Sequence, residues 1–439
     1  MSKKYYFVCK SCKTEIPGFH AWFGYGQKCP SCGSKYVDTM YYEDPIKLKS
    51  LIYGARTVPS LWHYFDFLPV DNRENIVSAG EGLSALEQWG FLEQIAREKH
   101  GINCKVFAFR SNYNNATRTF KDIAGSLGAS VLKEMGIDEY VVASTGNTAN
   151  AFSHYLAAAG ISLSVFMPQD AVPSNIAEVS SYGQKAFKVK GDYAMAKKIA
   201  AEYAALHNIH MTIGNVDPIR VESKKTWVFD WLSLMPEFPT VYIQALSGGT
   251  GPIAIEKALI DIKDLGLVSK SPRYLSIQPD KCAPMSHAWQ KAKLEGFPEG
   301  YQKNYPIYEN PETSVPTLAT GNPVTYPIMA DLTKKSGGDI IEFEESKMVD
   351  VARLVAYETT VRIGPASTIS AGGYFNALKQ GLIKNGDVVL LNLGEGIRRA
   401  PDFLKQLSYN ISEVNAVSDC ERFDRKKVRK MVWDPILNY

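Results

Sequence analysis

The sequence has no run of 18 apolar residues, so no membrane-spanning helix is expected. It has little net charge: 49 Lys and Arg against 46 Asp and Glu give +3, which argues against a broad nucleic-acid surface. No GxxxxGKS or GxxxxGKT run occurs, which excludes a nucleotide P-loop. There is no solenoid repeat and no low-complexity segment. The opening MSKKYYFVCK is too short and too polar before Cys9 for a signal peptide, so a cytoplasmic location is expected. What is present is the composition of a globular protein, 45% hydrophobic and 11% aromatic over 439 residues. That length suggests two or three domains.

Cysteine is scarce, with seven in all, but four are paired as Cys9-x-x-Cys12 and Cys29-x-x-Cys32. Each CxxC places two thiolates on one tight turn, and two such turns supply the four-sulfur shell that zinc prefers. Sixteen residues separate Cys12 from Cys29, a zinc-ribbon spacing, and Gly33 suits the second turn. A closed four-cysteine shell leaves no open position, so such a zinc is structural. A redox pair or unrelated thiols are the alternatives. His20 reads as a packed aromatic rather than a ligand.

From Lys105 onward, short β-branched runs alternate with helical stretches. Strands are expected at 139–144, 161–167, 185–190, 210–213, 240–246, 273–278 and 387–393. Asp192 is expected to cap a helix running to about His207. This alternation means α/β with mostly parallel sheets. The apolar stretch 61–70 reads as a packed lead-in. The tail 422–430, with six basic residues in nine, reads as a solvated helix face or arm.

Three loops stand where a strand meets a helix. In the first, Thr119-Phe120-Lys121-Asp122 opens a helix whose Ile123, Leu127, Val131 and Met135 form one apolar face, ended by Gly136. Lys121 in a first helical turn has its amine pKa lowered by the positive end of the dipole, which suits a nucleophile. The second, Ser144-Thr145-Gly146-Asn147-Thr148, offers free N–H groups and hydroxyls to a carboxylate. The third, Ser247-Gly248-Gly249-Thr250-Gly251, lets the backbone wrap a phosphate, and Pro252 marks the helix start. Taken singly, these are equally an exposed lysine, an ordinary cap and an empty turn. Taken together, an activated lysine, a carboxylate loop and a phosphate cradle are what pyridoxal phosphate (PLP) chemistry on an amino acid requires.

The run Thr119-Phe120-Lys121-Asp122 resembles the S-F-K-D of threonine synthase-like, fold-type-II PLP enzymes. The loops at 144–148 and 247–251 resemble their substrate and phosphate loops. Further matches are Ala79-Gly80-Glu81-Gly82, Gly321-Asn322-Pro323 and Pro365-Ala366-Ser367, so the likeness spans about 60–405. Trp62 with Leu68-Pro69-Val70, 242–245, Pro284-Met285 with Ala288-Trp289-Gln290, and Leu391-Asn392-Leu393 resemble the cysteate synthase branch.

The resemblance implies an α/β fold of the tryptophan synthase β type, with two open twisted sheets and a zinc-ribbon-like segment at 1–45. A large PLP-binding domain would comprise 46–130 and 215–439, and a smaller α/β domain 131–214. It further implies that Lys121 binds PLP covalently and shuttles the α-proton, and that Asn147 meets the 3′-hydroxyl. Gly248, Gly249, Thr250 and Gly251 would hold the cofactor phosphate, and Ser144, Thr145 and Thr148 the substrate carboxylate. Where relatives place Ser or Thr against the pyridine nitrogen, this chain has 391–396 (LNLGEG), so Asn392 or Glu395 would substitute. The implied reaction joins O-phospho-L-serine and sulfite into L-cysteate and phosphate. The alternative is threonine synthase, which takes O-phosphohomoserine and water. Either substrate needs cations. Arg118 is the first candidate and His287 the second, with Arg110, Lys281 and Arg220 behind them. A small-molecule enzyme and a homodimer are expected. A catalytically dead homologue, whose ribbon and tail bind a partner, is the non-enzyme reading.

Overall fold

Three sheets organise the chain in the computed structural model, which describes residues 4–309 and 311–438. The first is a small antiparallel sheet of β1 (Tyr5–Cys9), β2 (Glu15–Ile16) and β3 (Val37–Tyr41), in the order β2-β1-β3. Alternate residues of β1 are buried, so Tyr5, Phe7 and Cys9 face inward, where Phe19 and Trp22 pack on the rings.

The large sheet takes β4 (Ala85–Gln88) and β5 (Lys105–Arg110) from the middle of the chain. A four-stranded sheet follows from β6 (Glu139–Ala143), β7 (Ser162–Pro168), β8 (Lys185–Val189) and β9 (His210–Met211), ordered β8-β7-β6-β9 and parallel throughout. The chain then returns to the large sheet with β10 (Val241–Ala245), β11 (Arg273–Pro279), β12 (Asp339–Phe343) and β13 (Val388–Asn392). Its order is β12-β11-β10-β13-β5-β4, parallel except for the edge strand β4. All five residues of β13 are buried, as a strand covered on both faces requires. This is the α/β fold with mostly parallel sheets that the alternating pattern implied, arranged in the two open sheets that the resemblance implied.

The expected strands are present, with ends shifted by up to two residues or so. Six strands lie beyond the expected ones: β1, β2 and β3 of the cysteine segment, β4, whose half-buried ALEQ shows no alternation, β5 and β12. Asp192 does cap its helix, accepting from the Met195 N–H at 2.8 Å, and that helix spans Tyr193–His207. The basic tail forms the helix Arg425–Leu437, which buries Val428, Val432, Trp433 and Ile436 and leaves its basic residues outward. Residues 61–67 are a buried 3-10 segment, the packed lead-in expected there.

The helix Asp122–Glu134 departs from its expected single apolar face, since 122–132 are buried all round. Gly125 and Gly128 let two helices, Asn147–Ala158 and Pro218–Leu234, close on its other side, while Ser126 bonds Trp62 and the Val77 carbonyl. At Gly125 a Cβ would lie 2.7 Å from the Tyr155 ring and 2.9 Å from the Ala151 carbonyl oxygen. No helix among the described residues is long and apolar enough to cross a membrane.

Candidate active site

A cavity of about 640 Å³ is lined from the C-terminal ends of β6, β10 and β13 and the loops that follow them. That is where open parallel sheets present free helix N-termini, and the volume suits a cofactor with a substrate. All three loops singled out in the sequence meet here. Lys121, Ser144, Thr145, Asn147, Thr148, Gly248, Gly249, Thr250, Gly251, Asn392 and Glu395 all line the cavity.

Lys121 directly precedes the helix Asp122–Glu134 and donates its backbone N–H to Thr119 Oγ1 at 3.2 Å. A short bridge from Thr119 to Glu395 pins the approach. Its amine is enclosed by protein, and no hydrogen bond or ion pair to it is found among the described residues. Burial, and then the Arg220 guanidinium, hold it well below the usual lysine range, against the pull of Glu395. Such an amine is ready to attack a carbonyl or to take a proton. Asp122 accepts from the Thr117 N–H at 2.9 Å and its hydroxyl at 2.5 Å, which fixes the turn carrying the lysine.

In the second loop, Ser144 Oγ accepts from the N–H groups of Gly146 and Ala149, both at 3.1 Å. Asn147 Nδ2 donates to Glu395 Oε2 at 2.8 Å, while the buried Asn147 Oδ1 has no partner. A buried acceptor of that kind awaits a donor. Glu395 is itself buried, which raises its carboxyl pKa, while Asn147 and the Thr317 hydroxyl (3.2 Å) oppose the rise.

The third loop is glycine-rich because nothing larger fits. A Cβ on Gly248 would fall 1.7 Å from Asn215 Nδ2, and one on Gly251 would fall 2.0 Å from Gln244 Oε1. Gly249, at φ +78°, faces the Met329 sulfur at 2.1 Å from such a Cβ. The loop opens the 12-residue helix Thr250–Asp261, whose first N–H groups form an anion cradle. At the end of β13, Asn392 Oδ1 accepts from Ser111 Oγ at 2.5 Å, and Nδ2 donates to the Tyr242 hydroxyl at 2.7 Å.

The geometry reorders the cations. Arg118 and His287 do not line this cavity. Arg118 has left-handed backbone, φ +59°, and lines a separate cleft of about 400 Å³ with Arg110, Arg362 and Arg398. His287 is half-exposed, 3.2 Å from Glu342 and bonded through Nδ1 to the Tyr308 hydroxyl. Lys281 is exposed and outside the cavity too. Of the sequence candidates Arg220 does line it, joined by Lys224, Lys197 and Lys35, which sequence reasoning missed. Arg220 and Lys224 lie one turn apart on the helix Pro218–Leu234, a spacing visible in the sequence. Arg220 donates to the Gly214 carbonyl at 3.0 Å, and its buried Nε has no partner. Burial, then Lys121 and Arg220, depress the Lys224 amine. Five cationic side chains thus line the cavity against one carboxylate, Glu395.

The cysteines converge elsewhere. The Sγ atoms of Cys9, Cys12, Cys29 and Cys32 all lie within 4.8 Å of one another, with Cys9–Cys32 at 3.6 Å and Cys12–Cys29 at 3.5 Å. Tetrahedral zinc–sulfur bonds of about 2.3 Å place sulfurs about 3.8 Å apart, so the quartet fits that ion. Gly33 has φ +74°, and Lys13 takes the same left-handed place in the first turn.

Residues 87–394 match the family model described as pyridoxal-phosphate dependent enzyme. The chain is 26% identical over 390 residues to a threonine synthase of Methanocaldococcus jannaschii, covering 85% of this chain and 92% of that protein. It is 27% identical over 420 residues to a cysteate synthase of Methanococcoides burtonii, covering 92% and 97%. Among solved structures, cysteine synthase from Entamoeba histolytica superposes with TM-score 0.58 at 16% identity, over 82% of this chain and 94% of that one.

Proposed function

Since the chain belongs to the pyridoxal-phosphate dependent enzyme family, we propose that it replaces the phosphate of O-phospho-L-serine with sulfite, giving L-cysteate. The observation that carries this reading is the placement of the Lys121 amine with four further lysine and arginine side chains in a single cavity. A reaction that binds a phosphate ester, releases phosphate and then admits sulfite handles a doubly charged anion at every stage.

The residues fit the cofactor. The glycine loop and helix start suit its phosphate, the unpaired Asn147 Oδ1 suits its ring hydroxyl, and Lys121 is the amine to bond it. Asn392 and Glu395 both line the cavity as the groups that would meet the ring nitrogen, and Glu395 also holds Asn147 in place. Bound there, PLP supplies an electron sink for charge developing at the substrate Cα. The 144–148 loop holds the substrate carboxylate. Lys121 takes the proton from Cα and returns it at the end. Arg220 and Lys224 bind the ester phosphate and stabilise it as the Cβ–O bond breaks and phosphate departs with the electron pair. The sulfite sulfur lone pair then forms the new bond to Cβ, drawn in by the same cations. The four cysteines hold one structural zinc.

The test is a substrate panel with phosphate release followed: O-phosphoserine with sulfite, O-phosphoserine with sulfide, and O-phosphohomoserine with water. Cysteate from the first pair is the expected product. Threonine from the third, with no cysteate from the first, moves the chain to the threonine synthase reaction.

A further inference from the structure

The ribbon does not stand apart from the cavity. Ser34, Lys35 and Tyr36, just beyond Cys32, line it together with Lys121 and Arg220. Lys35 is exposed at the mouth, and no ion pair or hydrogen bond to its side chain is found among the described residues. Lys197, on the helix Tyr193–His207, is half-buried and lines the same cavity, with its ammonium 4.7 Å from the Tyr193 ring centre. Arg220 and Lys224 belong to the helix Pro218–Leu234, so the two lysines come from two other parts of the chain.

The position of Lys35 is set by both cysteine turns. The residue before it is tied to the second, where Ser34 O accepts from the Cys29 N–H at 2.8 Å. The residue after it is tied to the first, where Tyr36 O accepts from the Lys10 N–H at 3.0 Å. Ser34 also meets Ser11 through their hydroxyls at 3.2 Å. Tyr36 packs against Val221, Ile253 and Ala254, beside Arg220 and the start of the glycine-loop helix. Lys35 is therefore strung between two turns whose separation depends on the four sulfurs.

We propose that Lys35 is a specificity-determining residue of the active site, forming with Lys197 a rim subsite for a dianionic phosphate, and that the four-cysteine centre positions it. An unpaired ammonium at the mouth of a cavity that already has a cationic floor favours a doubly charged group over a neutral or singly charged one. The proposal rests on the reading of the substrate as a phosphorylated amino acid, but its test does not require turnover.

Inorganic phosphate is titrated into the PLP-loaded holoenzyme, with the cofactor's visible spectrum and fluorescence as readout. Lys35→Ala is expected to weaken phosphate binding roughly threefold to tenfold, with the spectrum of the phosphate-free form unchanged. Lys35→Arg should restore most of the affinity. With O-phosphoserine, KM should rise with kcat nearly constant, the pattern of a lost binding contact. Chelation of the ribbon metal should weaken phosphate binding in the parent protein and have little further effect on Lys35→Ala, since the two act through one contact. Phosphate affinity within twofold of the parent in Lys35→Ala overturns the proposal. So does a chelation effect of equal size in both proteins, which overturns the coupling to the cysteines. If phosphate affinity follows Lys35 while O-phosphoserine is not turned over, the substrate reading fails and the subsite stands.

Discussion

Lys121 and its neighbours carry the sharpest expectations at the scale of single residues. Lys121→Ala should abolish the borohydride-reducible adduct with PLP, seen as loss of a stable cofactor–peptide bond by mass spectrometry. Arg220→Ala should raise the KM for a phosphorylated substrate at least tenfold, because charged hydrogen bonds of this kind contribute about 1.5–3 kcal/mol. Arg118→Ala should leave that KM nearly unchanged, because Arg118 lines the neighbouring cleft. Asp122 gives a pH signature. Burial raises its carboxyl to about 6, against the Thr117 hydrogen bonds. The folded chain therefore binds this proton more tightly than the unfolded chain, whose aspartate titrates near about 3.9. Its contribution to stability is full below about pH 4 and is lost as the pH rises through about 6. The stability of the parent relative to Asp122→Asn should thus fall between those values by on the order of 2–3 kcal/mol, read from urea midpoints. The sequence made Lys121, Asn147 and the glycines legible because each loop's chemistry is local to a strand–loop–helix step. It misdirected Arg118, because proximity in sequence says nothing of a left-handed turn. It hid Lys35, which lines one cavity with Lys121 and Arg220 only after three parts of the chain come together.

Among the elements, the helix behind the lysine is the least tolerant of change. It is covered on every side, and Gly125 lies where the Asn147–Ala158 helix crosses it. Gly125→Ala should destabilise the protein by about 1–3 kcal/mol even though alanine is the better helix former, because the added Cβ meets a ring and a carbonyl oxygen. The denaturation midpoint measures it, and an unchanged or raised midpoint would mean the two helices can part without loss. The i, i+4 spacing of Ile123, Leu127 and Val131 announces the helix. The small residues opposite read as a polar or neutral face, and only the packing of two further helices shows that they are a second buried surface. The same limit applies to β12, whose short DIIEF run is flanked by charges that mask a strand.

Considered as a whole molecule, the protein is joined across its parts by buried charge. Tyr41, at the end of β3, donates its hydroxyl to Glu222 Oε2 at 2.6 Å. Around them Lys225 lies 2.6 Å from Glu222 and 2.7 Å from Asp261, and Lys257 also pairs with Asp261, all four charged side chains being buried. On the other side Phe23 packs at 4.8 Å against the His210 ring of β9. The ribbon thus touches the helices that carry the cations and the strand that edges the smaller sheet. Tyr41→Phe should cost about 1–3 kcal/mol by leaving Glu222 short of a donor, and the loss should appear in the thermal midpoint of the whole chain rather than in a separate early transition. A separate early transition would mean that the ribbon unfolds on its own.

That joint also has a schedule. The Tyr41 hydroxyl and its Glu222 acceptor are separated by 181 residues of chain. At about 5–20 residues per second, a ribosome takes on the order of 10–40 s to deliver the acceptor after the donor. Through that interval the Tyr41 hydroxyl lacks Glu222, and for most of it Phe23 lacks the His210 ring. The ribbon is therefore made well before it finds its place, and synthesis has the character of a wait that ends only when the helix Pro218–Leu234 arrives.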